Sequence, residues 1–174
     1  MSGLRRAVAD AGGTEIAEAA LVLPIMFMLL LGIYWFGRAL NTYETINHAA
    51  IEAARVAAMA SCATCARPVN TSVAGTAAGQ VLQAAGLDPN QVGQIPNETV
   101  PLCFVGGTAS CNSAATYGGP NMCIYYQVAL NSLGPQACGV YVSMQYPFQF
   151  YFPFTSLNLQ QLHLRAHAQR AGEY

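Results

Sequence analysis

The strongest constraint on this chain is an uncharged apolar run near its N-terminus, AALVLPIMFMLLLGIYWFG, from Ala19 to Gly37. As a helix rising about 1.5 Å per residue, the run nearly matches the roughly 30 Å hydrocarbon thickness of a bilayer. Tyr34 and Trp35 lie near its far end, where amphipathic aromatic rings favour the headgroup region. The run therefore predicts a transmembrane helix.

Charge and cysteine placement predict the orientation of this helix. Arg5 and Arg6 precede the run, and positive charge tends to stay on the cytoplasmic side. Arg38 and Arg55 follow it, so charge alone gives only a moderate indication of the orientation. An even number of cysteines on one side of the run indicates disulfides in an oxidising compartment. We therefore expect a single-pass inner-membrane protein with a cytoplasmic N-terminus and an exported C-terminus. The candidate disulfide cysteines are Cys62, Cys65, Cys103, Cys111, Cys123 and Cys138.

Two other interpretations of the apolar run are weaker. A cleaved secretory signal needs a shorter apolar region followed by a small-x-small site, and the bulky GIYWFG stands there instead. A core helix of a soluble protein is seldom apolar on every face over this length. A membrane segment explains the run better than either.

The spacing of the cysteines leaves their pairing open, although a turn at Gly106-Gly107 favours Cys103 with Cys111. Cys62 and Cys65 have the CxxC spacing of redox motifs. They follow a predicted helix, however, whereas a thioredoxin-like site follows a strand. A structural disulfide between them, or pairing with other cysteines, is the favoured interpretation, and thiol-disulfide catalysis is the weaker one.

After Arg38 the chain keeps a helical period that predicts one long rod ending near Cys62. A second helix is predicted from Ser72 to Ala85, ended by Gly86, and residues 88–120 are expected to form a loop. The polar face of the rod consists of Glu44, His48, Glu52 and Arg55, and its apolar face consists of Tyr43, Ile46, Ala50, Ala53 and Ala57.

Three later segments alternate between apolar and polar residues, as half-buried strands do. Together they predict an antiparallel sheet with one face on the long helix, which is an α+β fold. Pro147 indicates an edge strand or a bulge. The alternating sets are Ile124, Tyr126, Val128 and Leu130; Val140, Val142, Met144, Tyr146, Phe148 and Phe150; and Leu162, Leu164, Ala166 and Ala168.

Composition and motifs argue against several classes of function. Seven Arg, with no Lys, oppose eight acidic residues, so the basic surface of a nucleic-acid-binding protein is missing. No Gly-rich phosphate loop or nucleophilic triad stands out. His163 and His167 would lie about 13 Å apart on a strand, too far to share a metal ion. We expect no catalysis, cofactor, metal or small-molecule substrate.

The residues before the apolar run form a short basic leader, MSGLRRAVADAGG, that ends in a Gly pair. Cleavage after Gly13 would make Thr14 the new N-terminus and Glu18 its fifth residue. The new amine and the carboxylate, four residues apart, would share one helix face. In a packed bundle, the Glu18 carboxylate of one subunit could neutralise the amine of the next. Pro24 is expected to open or kink the membrane helix near Ala20.

The segment GGTEIAEAALVLPIMFMLLLGIYWFGR, continued by AAIEAARVAAM, resembles the N-terminal region of TadE-like proteins. These are pseudopilins, or minor pilins, of tight-adherence (Tad or Flp) pilus systems. The shared features are the Gly before the cut, the Glu five residues after it, the Ala-Leu-Val-Leu-Pro segment, the closing Gly-Arg and the Glu-Ala-Ala-Arg pattern. The resemblance covers residues 12–60. Ala19 stands where the family usually has Phe or Tyr.

This resemblance implies a minor pilin that helps to assemble a Tad pilus. It implies as partners an Flp-type major pilin, other minor pilins, a prepilin peptidase and the lipid bilayer. The expected organisation is a cytoplasmic leader over residues 1–13, a membrane helix over 14–37 and an exported α+β domain over 38–174. The alternatives are an anchored, disulfide-stapled binding module and an exported thiol-disulfide enzyme.

Overall fold

The computed structural model describes residues 12–59, 71–103, 107–111, 121–130, 137–151 and 161–171. The elements are α1 (Gly12–Met59), α2 (Thr71–Ala84), a 3-10 helix (Pro89–Gln91), β1 (Thr99–Pro101), β2 (Thr108–Ser110), β3 (Cys123–Ala129), β4 (Cys138–Gln149) and β5 (Gln161–Ala171). Strands β3, β4 and β5 form an antiparallel sheet in that order, and β1 and β2 form a separate antiparallel pair. This arrangement confirms the predicted α+β fold with a long N-terminal helix.

The main core lies between the C-terminal part of α1, α2 and one face of the three-stranded sheet. Most of the buried α1 residues are alanines, whose small side chains let the helix backbone approach the sheet closely. Larger side chains fill the remaining space, and each one fully buried contributes about 1.5–3 kcal/mol. These larger residues include Ile46, Leu82, Val142 and Met144.

Helix α2 confirms the second predicted helix and packs against α1 through small residues. Its buried positions are Ala74, Gly75, Ala78, Gly79 and Leu82. The helix ends where Gly86 adopts a φ of 74°, which glycine reaches without steric cost. The Gly86 N–H then donates to the Gln83 carbonyl and the Leu87 N–H to the Leu82 carbonyl, both at 2.9 Å, which forms a Schellman cap.

Pro147 lies in β4, which is the central strand and not an edge strand, and the pairing of β4 with β5 runs through it without a bulge. The prediction from Pro147 is therefore wrong for the strand as a whole. The proline is tolerated because β3 pairs only with the earlier part of β4. Gln145 exchanges both backbone hydrogen bonds with Gly93 at 2.8 Å. Pro147 lies two residues after Gln145, so its backbone nitrogen faces the same side of β4, beyond the part that pairs with β3. The N–H that proline lacks is therefore not needed for a hydrogen bond within the sheet.

Strand β3 departs from the predicted alternation at a bulge between Tyr125 and Val128. Gln127 there has a φ of 55°, in the left-handed region. Ile124 and Tyr126 pack against the main core as predicted, whereas Val128 joins a second cluster with Cys123 and Tyr125. The bulge therefore turns Val128 to the opposite face.

The β1–β2 hairpin is tied to the sheet by two disulfides, Cys103–Cys138 and Cys111–Cys123. The prediction of disulfides is confirmed for these four cysteines, but the favoured pairing of Cys103 with Cys111 is wrong. Pro101 pairs with Thr108, so Cys103 follows β1 at the turn end and Cys111 follows β2 at the open end. A disulfide cannot span a hairpin from end to end.

The expected loop over residues 88–120 is also wrong in part, because it contains the 3-10 helix and strands β1 and β2. Cys62 and Cys65 lie outside the described residues, so their predicted pairing is not tested.

Candidate membrane anchor and assembly surface

Helix α1 has two parts in different environments, which we call the apolar half (residues 16–40) and the packed half (residues 41–59). No residue of the apolar half is buried. In the packed half, one face is buried against α2 and the sheet. The buried residues of the packed half are Thr42, Ile46, Ala49, Ala50, Ala53, Ala54, Ala57 and Ala58.

The apolar half presents large side chains on all sides of the helix. Among the described residues, α1 is the one helix long and apolar enough to cross a membrane, and none of its most apolar 18-residue window is buried. A buried core helix would show the opposite. The finding is consistent with a single-pass membrane protein, as predicted. The exposed apolar side chains include Leu21, Leu23, Ile25, Phe27, Leu29, Leu30, Ile33 and Phe36.

The predicted processing site lies in the first turn of α1. Gly13 and Thr14 are helical, because α1 begins at Gly12. Thr14 and Glu18 are four residues apart in a continuous helix, the spacing that puts two positions on one face. Glu18 is exposed and forms no ion pair with any described residue. Its predicted role in subunit alignment stays a prediction.

Pro24 lies inside α1, and the helix continues through it to Met59. Because proline has no N–H, the Ala20 carbonyl four residues earlier lacks its usual donor. In a lipid environment such a carbonyl is satisfied by a neighbouring helix, a side chain or water. The position of Pro24 in the exposed apolar half therefore suits a contact with another helix.

Aromatic residues and an arginine mark the end of the apolar half. The Trp35 ring lies 5.6 Å from the Tyr34 ring and 5.8 Å from the Tyr151 ring, between centroids. The Arg38 guanidinium lies over Trp35, 5.5 Å from the ring centroid. Tyr151 follows β4, so these contacts join the globular domain to the helix at the level where Trp and Tyr favour a membrane interface.

The outer face of the packed half carries the predicted polar residues. Glu44, His48 and Arg55 are exposed, and Glu52 and Arg55 form a weak ion pair with a separation of 3.7 Å. The predicted apolar face is confirmed except at Tyr43, which is 44% exposed. Thr42, which the sequence analysis did not select, is buried instead, and its hydroxyl donates to the Arg38 carbonyl at 3.0 Å.

Glu98 takes part in a polar contact that the sequence analysis did not predict. The Tyr141 hydroxyl donates to Glu98 Oε1 at 2.6 Å, across 43 residues of sequence. Burial, and then the hydrogen bond to Glu98, raise the pKa of Tyr141 well above its usual value. The His167 ring stacks on the Tyr141 ring, with 6.2 Å between the ring centroids. This cluster lies on the sheet face away from α1 and fixes the β1–β2 region there.

The described residues contain no group of three or more potential metal ligands. His163 and His167 are both exposed on β5, four residues apart. These placements fit the interpretation of the two histidines as surface residues.

The family model of TadE-like proteins matches residues 13–55. This match confirms the predicted family resemblance over the part of the chain that carries it, from the proposed cut to the packed half of α1, and it relates the chain to Tad pilus systems. Searches of curated proteins and of solved structures give no match to the chain.

Proposed function

We propose that this protein is a membrane-anchored minor pilin, or pseudopilin, that takes part in the assembly of a Tad pilus and has a structural role without catalysis. The observation that carries the proposal is the match of residues 13–55 to TadE-like proteins together with the form of this segment. It is one continuous helix, apolar and exposed at its N-terminal end and packed into a globular domain at its other end. A subunit of this form can be held in a membrane by one end and contact partners through the other.

The apolar half of α1 would supply the contacts between subunits. A helix exposed on every face in the isolated chain can exchange lipid for neighbouring helices without first breaking a packed core. Glu18 would set the register, because a carboxylate drawn into the bilayer unpaired costs a few kcal/mol. Pairing with the free amine of a neighbouring Thr14 removes much of that cost. Subunits would therefore align where this pair forms.

Processing is the first test of this proposal. We expect the membrane-extracted protein to begin at Thr14, as measured by N-terminal sequencing and intact mass. Gly13→Val should leave the leader attached, because a branched side chain replaces the small residue before the cut. Gly12→Ala is the matched control and should be cleaved normally. An intact Met1 in a strain that assembles normal pili would contradict the proposed processing.

The role of Glu18 is the second test. In a strain lacking the chromosomal copy, Glu18→Gln should reduce the number of surface pili at least tenfold by electron microscopy. Glu44→Gln, at an exposed position of the packed half, is the matched control and should restore normal numbers. If the deletion strain itself makes normal pili and adheres normally, the protein is an anchored binding module and not an assembly component.

A further inference from the structure

A cavity of about 590 Å³ lies where the globular domain meets the end of the apolar half of α1. From Ala19 to Arg38 the helix rises about 29 Å, close to the thickness of a bilayer core. The cavity therefore lies at the level of lipid headgroups if α1 crosses a membrane. Its volume is within the usual range of small-molecule sites. Its lining includes Trp35, Arg38, Asp88, Phe148, Gln149 and Tyr151.

Arg38 is a cation in this cavity that can bind a phosphate. Its guanidinium lies over the Trp35 ring, 5.5 Å from the ring centroid, so a cation–π contact orients the group while its N–H donors can still bind an anion. Arg38 forms no ion pair with any carboxylate in the described part of the chain. Two oxygens of a phosphate ester can accept a pair of parallel hydrogen bonds from such a guanidinium.

The same cavity also contains an acid. Asp88 is held in place because its Oδ1 accepts hydrogen bonds from the backbone N–H and the side-chain amide of Asn90, both at 3.0 Å. A positive and a negative side chain in one cavity complement a ligand that carries both charges. The aromatic side chains of Trp35, Phe148 and Tyr151 also line the cavity and suit a glycerol group or the start of an acyl chain.

From this combination we propose that the cavity binds the headgroup of a zwitterionic phospholipid that carries a primary amine, such as phosphatidylethanolamine. Arg38 holds the phosphate, and Asp88 accepts a hydrogen bond from the ammonium group. The bound lipid would fix the height and tilt of the globular domain relative to the membrane surface. The proposal rests on α1 crossing a bilayer and is independent of any role in a pilus.

Lipid retention by the full-length protein tests this proposal. The protein is reconstituted in nanodiscs with equal amounts of phosphatidylethanolamine and phosphatidylglycerol and is then released into detergent. Native mass spectrometry counts the lipids that remain bound. We expect one retained phosphatidylethanolamine in the wild type and at least tenfold less in Arg38→Gln. Arg55→Gln, an exposed arginine of the same helix that is ion-paired with Glu52, is the matched control and should retain lipid normally.

Two further variants separate lipid recognition from loss of structure. Asp88→Asn keeps an oxygen acceptor for Asn90 and should lose the preference for phosphatidylethanolamine over phosphatidylglycerol. Arg38→Lys keeps the charge without the planar donors and should retain an intermediate amount of lipid. All variants must remain in the membrane fraction with unchanged melting temperatures, so that a change in retention reports on the cavity.

Three results would overturn the proposal. The first is retention of phosphatidylethanolamine by a folded Arg38→Gln variant at the level of the wild type. The second is equal retention of both lipids by the wild type. The third is binding of inorganic phosphate in lipid-free detergent with an affinity comparable to that of the lipid, which would assign the cavity to a free anion.

Discussion

The two halves of α1 are both apolar but differ in the size of their side chains. The apolar half carries Leu, Ile, Met and Phe on every face, and no residue in it is buried within the chain. The packed half buries a stripe that is mostly Ala. Large side chains suit contact with acyl chains, whereas alanine lets a helix backbone lie close to a sheet. Side-chain size therefore distinguishes the part of the helix that could cross a membrane from the part that belongs to the domain.

The largest expected effect is an aspartate in the packed half. Ala53 is fully buried in the main core, so Ala53→Asp should destabilise the globular domain by about 3–5 kcal/mol, because the new carboxylate has no partner. The protein should nevertheless stay in the membrane fraction. Urea unfolding followed by circular dichroism measures the change. Ile51→Asp, at an exposed position two residues away, should change stability by less than about 0.5 kcal/mol. Equal effects at both positions would contradict the division into two faces.

A charge in the middle of the apolar half should have the opposite outcome. Leu29→Arg places a charge near the bilayer centre at a cost of about 2.5–3.5 kcal/mol. The protein should become extractable with alkaline carbonate while its domain keeps the wild-type unfolding curve. Leu40→Arg, an exposed position beyond Arg38, is the control and should remain in the membrane. Extraction of the wild-type protein under the same conditions would contradict a membrane-spanning apolar half.

The same substitution in both halves tests the role of side-chain size directly. Ala53→Leu overfills a packed core and should cost about 1–3 kcal/mol of domain stability. Ala20→Leu, in the exposed half, should leave the stability of the domain unchanged. Both changes raise hydrophobicity equally, so a difference between them measures packing alone. An equal loss of stability in the two variants would mean that the apolar half also packs against protein.

The comparison also explains which parts of the fold the sequence could predict. The extent of α1 and the three strands of the main sheet were predictable because they depend on local periodicity, 3.6 residues for the helix and two for the strands. The buried and exposed faces of the packed half followed from the same pattern. The assignment of Tyr43 to the buried face is wrong, because the position of a residue on a helix face does not determine how far the partner surface extends.

The parts that the sequence could not predict depend on distant residues. The pairing of Cys103 with Cys138 and of Cys111 with Cys123 requires knowledge of where the β1–β2 hairpin lies on the sheet. The contact of Glu98 with Tyr141 has the same origin. In the candidate site, Gly13 and Glu18 were found from a motif, whereas the cavity beside Arg38 is formed by segments about 50 and 110 residues farther along the chain.

The smallest expected effect concerns Tyr126, which packs against the core beside the packed half. Its hydroxyl is buried and has no hydrogen-bond partner among the described residues, and burial raises its pKa to about 12. The folded state therefore binds the phenolic proton more tightly than the unfolded state, where the pKa is about 10. Domain stability from this group is complete below pH 10 and is lost as the pH rises toward 12.

Tyr126→Phe removes this proton and should make the loss of stability between pH 10 and 12 shallower, as measured by urea unfolding at a series of pH values. A decline should remain, because burial and Glu98 also raise the pKa of Tyr141. At pH 7 the variant should be at least as stable as the wild type, since a buried hydroxyl without a partner destabilises the folded state. Tyr43→Phe, at an exposed position of the packed half, is the matched control. If stability falls equally steeply with pH in Tyr126→Phe and the wild type, water reaches the Tyr126 hydroxyl in the folded state. The core beside the packed half would then not exclude water, which would contradict the proposed difference between the two halves of α1.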